Sequence, residues 1–137
     1  RAGTWLAMDA TNGDVLWRYK REGDFRPVKK MGLSLHEGRV YTSTSDLHVI
    51  ALDAKTGEVV WTERIGGKFS ASPIHAAGRI YPFDESSVTT VIVAARKFKM
   101  LAVNTLGGEQ LMASPAAAGN SLFVRTAKHL YRIEDSK

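Results

Sequence analysis

The sequence predicts an all-β protein built from recurring four-stranded antiparallel sheets. Residues 5–17 and 49–61 are two copies of one sequence unit, at an offset of 44 residues. A second set of matches recurs at offsets of 40 to 42, as in Ser72-Pro73 and Ser114-Pro115. A fixed period in this range indicates a repeat architecture. No segment of useful length shows helical periodicity, so strands are expected to make up the repeats.

The repeated unit is predicted to be a strand, a tight turn and a second strand. Its matched pairs are Asp9 with Asp53, Gly13 with Gly57, and Trp17 with Trp61. An Asp side chain can accept backbone N–H bonds in an Asx-type turn, and Gly supplies the positive φ that closes the turn. The first copy contains an Asn-Gly pair, the strongest short-range hairpin signal. We therefore predict one hairpin in each copy.

The tryptophan in the second strand of each unit predicts contact between units. Burying an indole ring removes roughly 150 to 250 Å² from solvent, an upper-bound gain of about 4 to 6 kcal/mol. Rings of this size at two equivalent positions are not expected to remain in water. We interpret Trp17 and Trp61 as staples between neighbouring units, and the matched aspartates and glycines as parts of the turns.

The whole chain is predicted to be a single repeat domain with four segments. Residues 1–20 form a partial unit, 31–64 a complete unit, 69–104 a degenerate unit and 112–134 a second partial unit. The chain is thus predicted to open with the last two strands of one unit and to end with the first three of another.

Two segments depart from the repeat. The connector Arg21 to Lys30 carries mixed charges and Pro27, which argues against a central strand and favours a loop. The degenerate unit lacks both the Asp-Xaa-Xaa-Thr-Gly turn and the tryptophan, and has Arg96, Lys97 and Phe98 there instead. We expect this unit to pack differently from the others.

The segment Ala51 to Trp61, Ala-Leu-Asp-Ala-Lys-Thr-Gly-Glu-Val-Val-Trp, resembles the tryptophan-docking repeat of the quinoprotein (PQQ-like) β-propellers. That superfamily includes the pyrroloquinoline-quinone alcohol dehydrogenases and the propeller lipoprotein of the outer-membrane barrel-assembly machinery. The resemblance implies four-stranded blades, with about three blades' worth in this chain. Since propellers have 4 to 8 blades, it implies a partial propeller. The chain would be a fragment, a protomer that closes by oligomerising, or an engineered or chimeric protein.

The two partial units predict self-association. Exposed strand edges pair with whatever strand is available. We expect the N-terminal hairpin and the three C-terminal strands to complete a blade, either within one chain or between two chains. A homodimer would supply about six blades, a normal propeller size.

Composition excludes several classes of protein. Net charge is +5, but residues 1–67 carry 10 basic and 9 acidic groups and residues 68–137 carry 9 and 5. This dispersed excess does not form the basic stripe of a nucleic-acid-binding protein. No apolar run is long enough for a membrane span, and no signal-peptide pattern is present. The absence of cysteine excludes disulfides and thiolate metal sites.

The quinone-dehydrogenase alternative would need pyrroloquinoline quinone with a calcium-type cluster of oxygen ligands and a carboxylate base. Asp9 and Asp53 are the obvious carboxylates, but the turns themselves require them. Active dehydrogenases of the family also carry an adjacent cysteine pair near the quinone, which this chain lacks. We assign no catalytic, cofactor-binding or metal-binding residues.

Four other features are given structural interpretations. His48 and His129 share one repeat position, which favours a role in a strand over metal binding. The Ser-Pro pairs are interpreted as strand entries, because no Gly-Xaa-Ser-Xaa-Gly elbow accompanies them. Asp84-Glu85 is predicted to be an acidic turn, with general acid–base work as the alternative. The segment Arg96-Lys97-Phe98-Lys99 is predicted to be a solvated hairpin tip, with a docking patch for an acidic partner as the alternative.

The leading hypothesis is a non-catalytic repeat protein that acts as a scaffold or binds proteins. The alternative is part of a quinone-dependent dehydrogenase whose other blades supply the cofactor site. A third possibility is that the halves before and after Gly66-Gly67 come from different parents, since intact motifs end there. The family resemblance also implies a periplasmic or other extracytoplasmic location.

Overall fold

A computed structural model describes residues 4–22 and 32–134, and all regular structure within them is β-strand. The strands are β1 (Thr4–Met8), β2 (Val15–Lys20), β3 (Leu33–His36), β4 (Arg39–Ser43), β5 (His48–Asp53), β6 (Val59–Arg64), β7 (Ile74–Ala76), β8 (Arg79–Tyr81), β9 (Val88–Val93), β10 (Met100–Thr105), β11 (Ala116–Ala118), β12 (Ser121–Arg125) and β13 (Leu130–Glu134). The predicted all-β class is confirmed.

The strands form four separate antiparallel sheets in chain order. Strands β1 and β2 make a hairpin, β3 to β6 and β7 to β10 make two four-stranded sheets, and β11 to β13 make a three-stranded sheet. Each strand pairs with its chain neighbour, so the sheets are meanders. This is the predicted partial propeller of four-stranded blades, and we call the sheets blades 1 to 4.

Blades 1 and 4 are not hydrogen-bonded to each other in this structure. Blade completion within a single chain, one of the two expectations from the sequence, is therefore not found among the described strands. The connector predicted at 21–30 lies outside the described residues apart from its first two.

Each junction between blades holds its own apolar cluster. Val40, Ile50 and Leu52 of blade 2 pack against Trp17 and Tyr19 of blade 1. At the next junction the buried residues are Tyr41, Val49, Ala51, Trp61, Ile80, Ile92 and Ala94. Between blades 3 and 4 they are Ala71, Phe83, Leu111 and Val124. A propeller of this kind is a series of nearest-neighbour contacts.

The innermost strands of blades 2, 3 and 4 lie side by side, because β7 contacts both β3 and β11. The backbone N–H of Ser72 donates to Ser114 Oγ at 3.0 Å, which joins the two Ser-Pro segments just before β7 and β11. Ser34 Oγ donates to the Pro73 carbonyl at 2.5 Å. Both Ser-Pro pairs thus precede strands rather than form a reactive elbow.

The outer strands share one irregularity. The ladder shifts by one residue beside Trp17 in β2, Trp61 in β6 and Ala102 in β10. These three positions are structurally equivalent, since each directly follows the extra residue of a bulge. Ala102 therefore occupies the tryptophan position of blade 3.

Candidate functional site

The predicted aspartates organise the turns between the last two strands of blades 1 and 2. Asp53 Oδ1 accepts the N–H groups of Lys55 at 2.9 Å and Thr56 at 3.0 Å. These bonds, with the nearby Arg96 charge, hold the pKa of the Asp53 carboxyl below its usual value. Asp9 likewise accepts the hydroxyl and the N–H of Thr11, which lowers the pKa of its carboxyl. Both carboxylates are ionised turn residues.

Both predicted glycines close the same turns, and Gly57 also leaves room for the tryptophan of the preceding blade. Gly13 and Gly57 have φ of +80° and +75°. A Cβ on Gly57 would lie 2.6 to 3.0 Å from ring atoms of Trp17, whereas one on Gly13 would meet nothing within 4 Å. Two constraints therefore favour glycine at position 57: the positive φ of the backbone and the indole ring of Trp17 packed against it.

Both motif tryptophans donate the indole N–H to the next blade. Trp17 Nε1 donates to the Ala54 carbonyl at 2.9 Å, and Trp61 Nε1 donates to the Ala95 carbonyl at 3.0 Å. Trp61 is 8% exposed and Trp17 is half-buried. The geometry is that of a forward-pointing staple, as the repeat pattern predicts.

The turn of blade 3 replaces the glycine with Phe98. The Val93 N–H donates to the Lys99 carbonyl, which makes this turn one residue longer than the one joined by Asp53 and Glu58. Phe98 packs edge-on against Trp61, with ring centroids 5.3 Å apart. The tip is therefore not wholly solvated as predicted: Arg96, Lys97 and Lys99 are exposed, but Phe98 belongs to the junction.

An open groove of about 640 Å³ lies at the opposite ends of the blades, between loops of blades 2, 3 and 4. It is lined by Leu47, Gly67, Lys68, Asp84, Glu85, Ser86, Gly108 and Gln110. Asp84 Oδ1 accepts the N–H groups of Ser86 at 2.9 Å and Val88 at 2.8 Å, and Glu85 accepts the Ser70 hydroxyl. These bonds fit the predicted acidic turn.

Two acid–histidine pairs support neighbouring loops. His129 Nδ1 lies 2.8 Å from Glu109 Oε1, and Glu109 also accepts the Thr126 hydroxyl. The Thr126 bond, followed by His129, lowers the pKa of the Glu109 carboxyl. In blade 2, His48 Nδ1 lies 3.0 Å from Asp46 Oδ2. The shared position of the two histidines was visible in the sequence, but their acidic partners were not.

Asp46 is also held by a connector residue. Arg21 Nη2 lies 2.6 Å from Asp46 Oδ2. Burial raises the pKa of the Asp46 carboxyl, but hydrogen bonds from Thr44 and Arg21 outweigh it, so the net shift is downward. Such a pair fixes the loop between β4 and β5 to the connector from blade 1.

A stacked histidine pair joins the innermost strands of blades 2 and 3, which sequence reasoning missed. The rings of His36 and His75 lie 3.7 Å apart at 16°. The buried Nε2 of His75 has no hydrogen-bond partner. Burial and the neighbouring His36 lower the pKa of the His75 imidazole, so this ring is neutral at pH 7.

The described carboxylates do not fit a calcium–quinone site. Calcium takes 6 to 8 oxygen ligands at once, and a quinone base needs a free carboxylate. The groove carboxylates each already serve a loop, and no cluster of His, Asp and Glu suited to a metal occurs in 4–22 and 32–134. No helix long and apolar enough to cross a membrane occurs in that part either.

These observations define the class: a propeller-type repeat protein whose blades are pinned by tryptophan. A family model described as "Outer membrane protein assembly factor BamB" matches residues 1–127. The chain belongs to this family, whose repeats are PQQ-like.

Curated relatives and solved structures extend the likeness. Quinoprotein alcohol dehydrogenase PedH of Pseudomonas putida is 30% identical over 129 residues, which cover 87% of this chain and 21% of that protein. The 1-butanol dehydrogenase (quinone) of Thauera butanivorans is 38% identical over 66 residues, 44% of this chain and 11% of that protein. The chain thus spans about a fifth or less of these relatives.

BamB from Moraxella catarrhalis superposes with a TM-score of 0.79 at 17% identity, covering 98% of this chain and 40% of that one. Quinohemoprotein alcohol dehydrogenase from Comamonas testosteroni gives a TM-score of 0.66 at 18% identity, covering 90% and 26%. At these identities the structural likeness establishes the fold alone.

Proposed function

We propose that this chain is a non-catalytic, protein-binding scaffold of the PQQ-like propeller type. The observation that carries the proposal is the use of its motif carboxylates. Asp9 and Asp53 each accept backbone N–H groups within their own turns. A carboxylate committed in this way is poorly placed to act as a base or a calcium ligand.

Two further features support a binding role over catalysis. The outer surface carries exposed apolar side chains on β10 and a basic tip beside them, which suits contact with another protein. The description of the matching family model, an assembly factor, adds to this support. By the same resemblance, we propose an extracytoplasmic location.

The alternative function is part of a quinone-dependent dehydrogenase, which the curated relatives favour. In that case the cofactor site would be formed largely by other blades. The groove would then be one wall of a larger site.

Titration with pyrroloquinoline quinone and calcium separates the two functions. We expect no saturable change in quinone absorbance and no alcohol-dependent dye reduction. Saturable binding with turnover would contradict the scaffold function. The quinoprotein alcohol dehydrogenase PedH, measured in the same assay, serves as the positive control.

A further inference from the structure

The outer edge of β10 lacks the charged side chains that commonly prevent an exposed strand edge from pairing with another chain. Strand β10 ends the complete four-stranded sheet of blade 3, so no strand of the described ranges 4–22 and 32–134 pairs with its outer backbone groups. Met100, Leu101 and Val103 are 52%, 45% and 56% exposed. No charged residue occurs in Met100–Thr105. Such edges are templates for strand addition.

The other outer strands of this chain, β2 and β6, do carry charged side chains. Strand β2 carries Arg18 and Lys20, and β6 carries Glu63 and Arg64. The register makes Thr105 equivalent to Lys20 and Arg64, and Val103 equivalent to Arg18. All three strands have the same bulge, so the bulge does not distinguish β10. The absence of charged side chains is what distinguishes β10 from β2 and β6.

A basic group marks one end of this edge. Arg96, Lys97 and Lys99 are exposed just before β10 begins, whereas Thr105 to Gly108 carry no cation. Phe98 is packed against Trp61, so the tip is attached to the blade junction. Arg96 also acts on Asp53, which leaves Lys97 and Lys99 as the main outward charges. The edge is therefore uncharged along its length and positive at its start.

We propose that the outer edge of β10 binds an extended segment of a partner protein, which adds as a fifth, antiparallel strand. Antiparallel addition continues the pattern of the sheet and places the C-terminal end of the segment beside Lys97 and Lys99. The segment therefore carries Asp or Glu at that end and small apolar or Thr side chains before it. This inference rests on the proposed binding role and names the chemistry of the partner.

A labelled synthetic peptide tests the proposal. The probe has repeated Thr-Val pairs followed by a run of Asp, and its binding to the full chain is followed by fluorescence anisotropy. We expect saturable binding, and at least tenfold weaker binding by a version with proline in the Thr-Val part, because proline removes a ladder donor. A version with the Asp run at the N-terminal end should also bind at least tenfold more weakly. No binding, or equal binding of all versions, overturns the proposal.

Matched variants locate the site. Val103→Arg places on β10 the residue that β2 has there, and should weaken binding at least tenfold. Val59→Arg makes the same change at an exposed valine on the outer strand β6 and should leave binding unchanged. Thermal unfolding establishes that both variants fold. Equal effects of the two variants would contradict a site on β10.

Charge reversal tests the orientation and the occupant. The double variant Lys97→Glu and Lys99→Glu should reject the Asp-ended peptide and bind its Lys-ended counterpart. Failure of this swap overturns the acidic partner. Light scattering adds a separate outcome: a dimer that Val103→Arg disperses would make a second copy the occupant and overturn the proposal. Quinone binding with turnover would instead refute the scaffold function while leaving the peptide result intact.

Discussion

At the scale of single residues, the two turn glycines have unequal roles. They share a positive φ, but only Gly57 lies beneath an indole ring. Gly13 closes its turn with open space around the missing side chain. The two glycines occupy equivalent positions in the sequence motif, but their surroundings in the structure differ.

We therefore predict different costs for the same substitution. Gly13→Ala should lower the free energy of unfolding by about 1 kcal/mol, the cost of a left-handed alanine. Gly57→Ala should lower it by about 3 kcal/mol, since its Cβ would also displace Trp17. Urea unfolding followed by tryptophan fluorescence measures both values. Equal costs would show that the indole adapts without loss.

The stacked histidines predict a pH dependence. Because the pKa of His75 is lowered in the folded state, the unfolded chain binds more protons at acid pH. Stability should fall as pH drops below 6.5, the ordinary value for histidine. The lowered carboxylate pKa values act in a separate window, below about 4.5. Glu37, which pairs with Arg39, also faces the rings and partly offsets the loss.

Unfolding by urea at pH 7 and at pH 5.5 measures this effect. We expect the wild-type chain to lose stability between these values and His75→Gln to lose much less. His48→Gln is the control, since His48 begins β5 and its ring lies beside Asp46, away from the stack. A variant His75→Gln with the full wild-type pH response would refute the role of the stack.

At the scale of elements, the junctions between blades differ in how firmly they are closed. Trp61 is almost fully buried between Tyr41 and Phe98, and it reaches the longer turn of blade 3 at Ala95. Trp17 is half-buried, although its indole bond is equally short. The junction after blade 2 should therefore contribute more to stability.

Truncation of each tryptophan tests this ranking. Trp61→Ala should lower the free energy of unfolding by about 3 to 5 kcal/mol, the usual cost for a buried indole. Trp17→Ala should cost less, because more of its ring already faces water. Urea unfolding measured by circular dichroism avoids reliance on the lost fluorophore. The reverse order would contradict this assignment of the main junction.

The sequence predicted those elements that depend on local chemistry. Asp9 and Asp53 hold their turns through bonds to residues two or three positions away, so a repeated motif reveals them. The histidine stack was not predictable in this way, because Leu35 stands at the position of His75 in the preceding blade. The contact of Phe98 with Trp61 was not predicted, because an extra turn residue shifts the register of Phe98. Glu109 lies in the connector between blades 3 and 4, outside the repeated unit, so the repeat pattern could not reveal its contact with His129.

At the scale of the whole molecule, the described strands leave sheet edges open at both ends. Strand β1 pairs only with β2, and β13 pairs only with β12. Unpaired edges of this kind favour association. The fold class and the family were readable from the repeats, whereas the described strands supply no partner for these edges.

Self-association provides the test at this scale. We expect light scattering coupled to size exclusion to give a mass near twice 15.0 kDa, as for a ring of about six blades closed by two chains. Leu130→Lys, on the exposed part of β13, should shift the mass toward that of one chain. A folded wild-type chain that stays monomeric at all concentrations would exclude the homodimer.

The forward-pointing indole bonds have a consequence for how such chains change in evolution. Because Trp17 and Trp61 each bond to the blade that follows, duplicating blade 2 would place a tryptophan over a copy of Gly57, which is the contact that Trp17 already makes. Gene duplication can therefore alter the blade number in whole steps, while the Ala102 and Phe98 departures mark where one copy has since diverged.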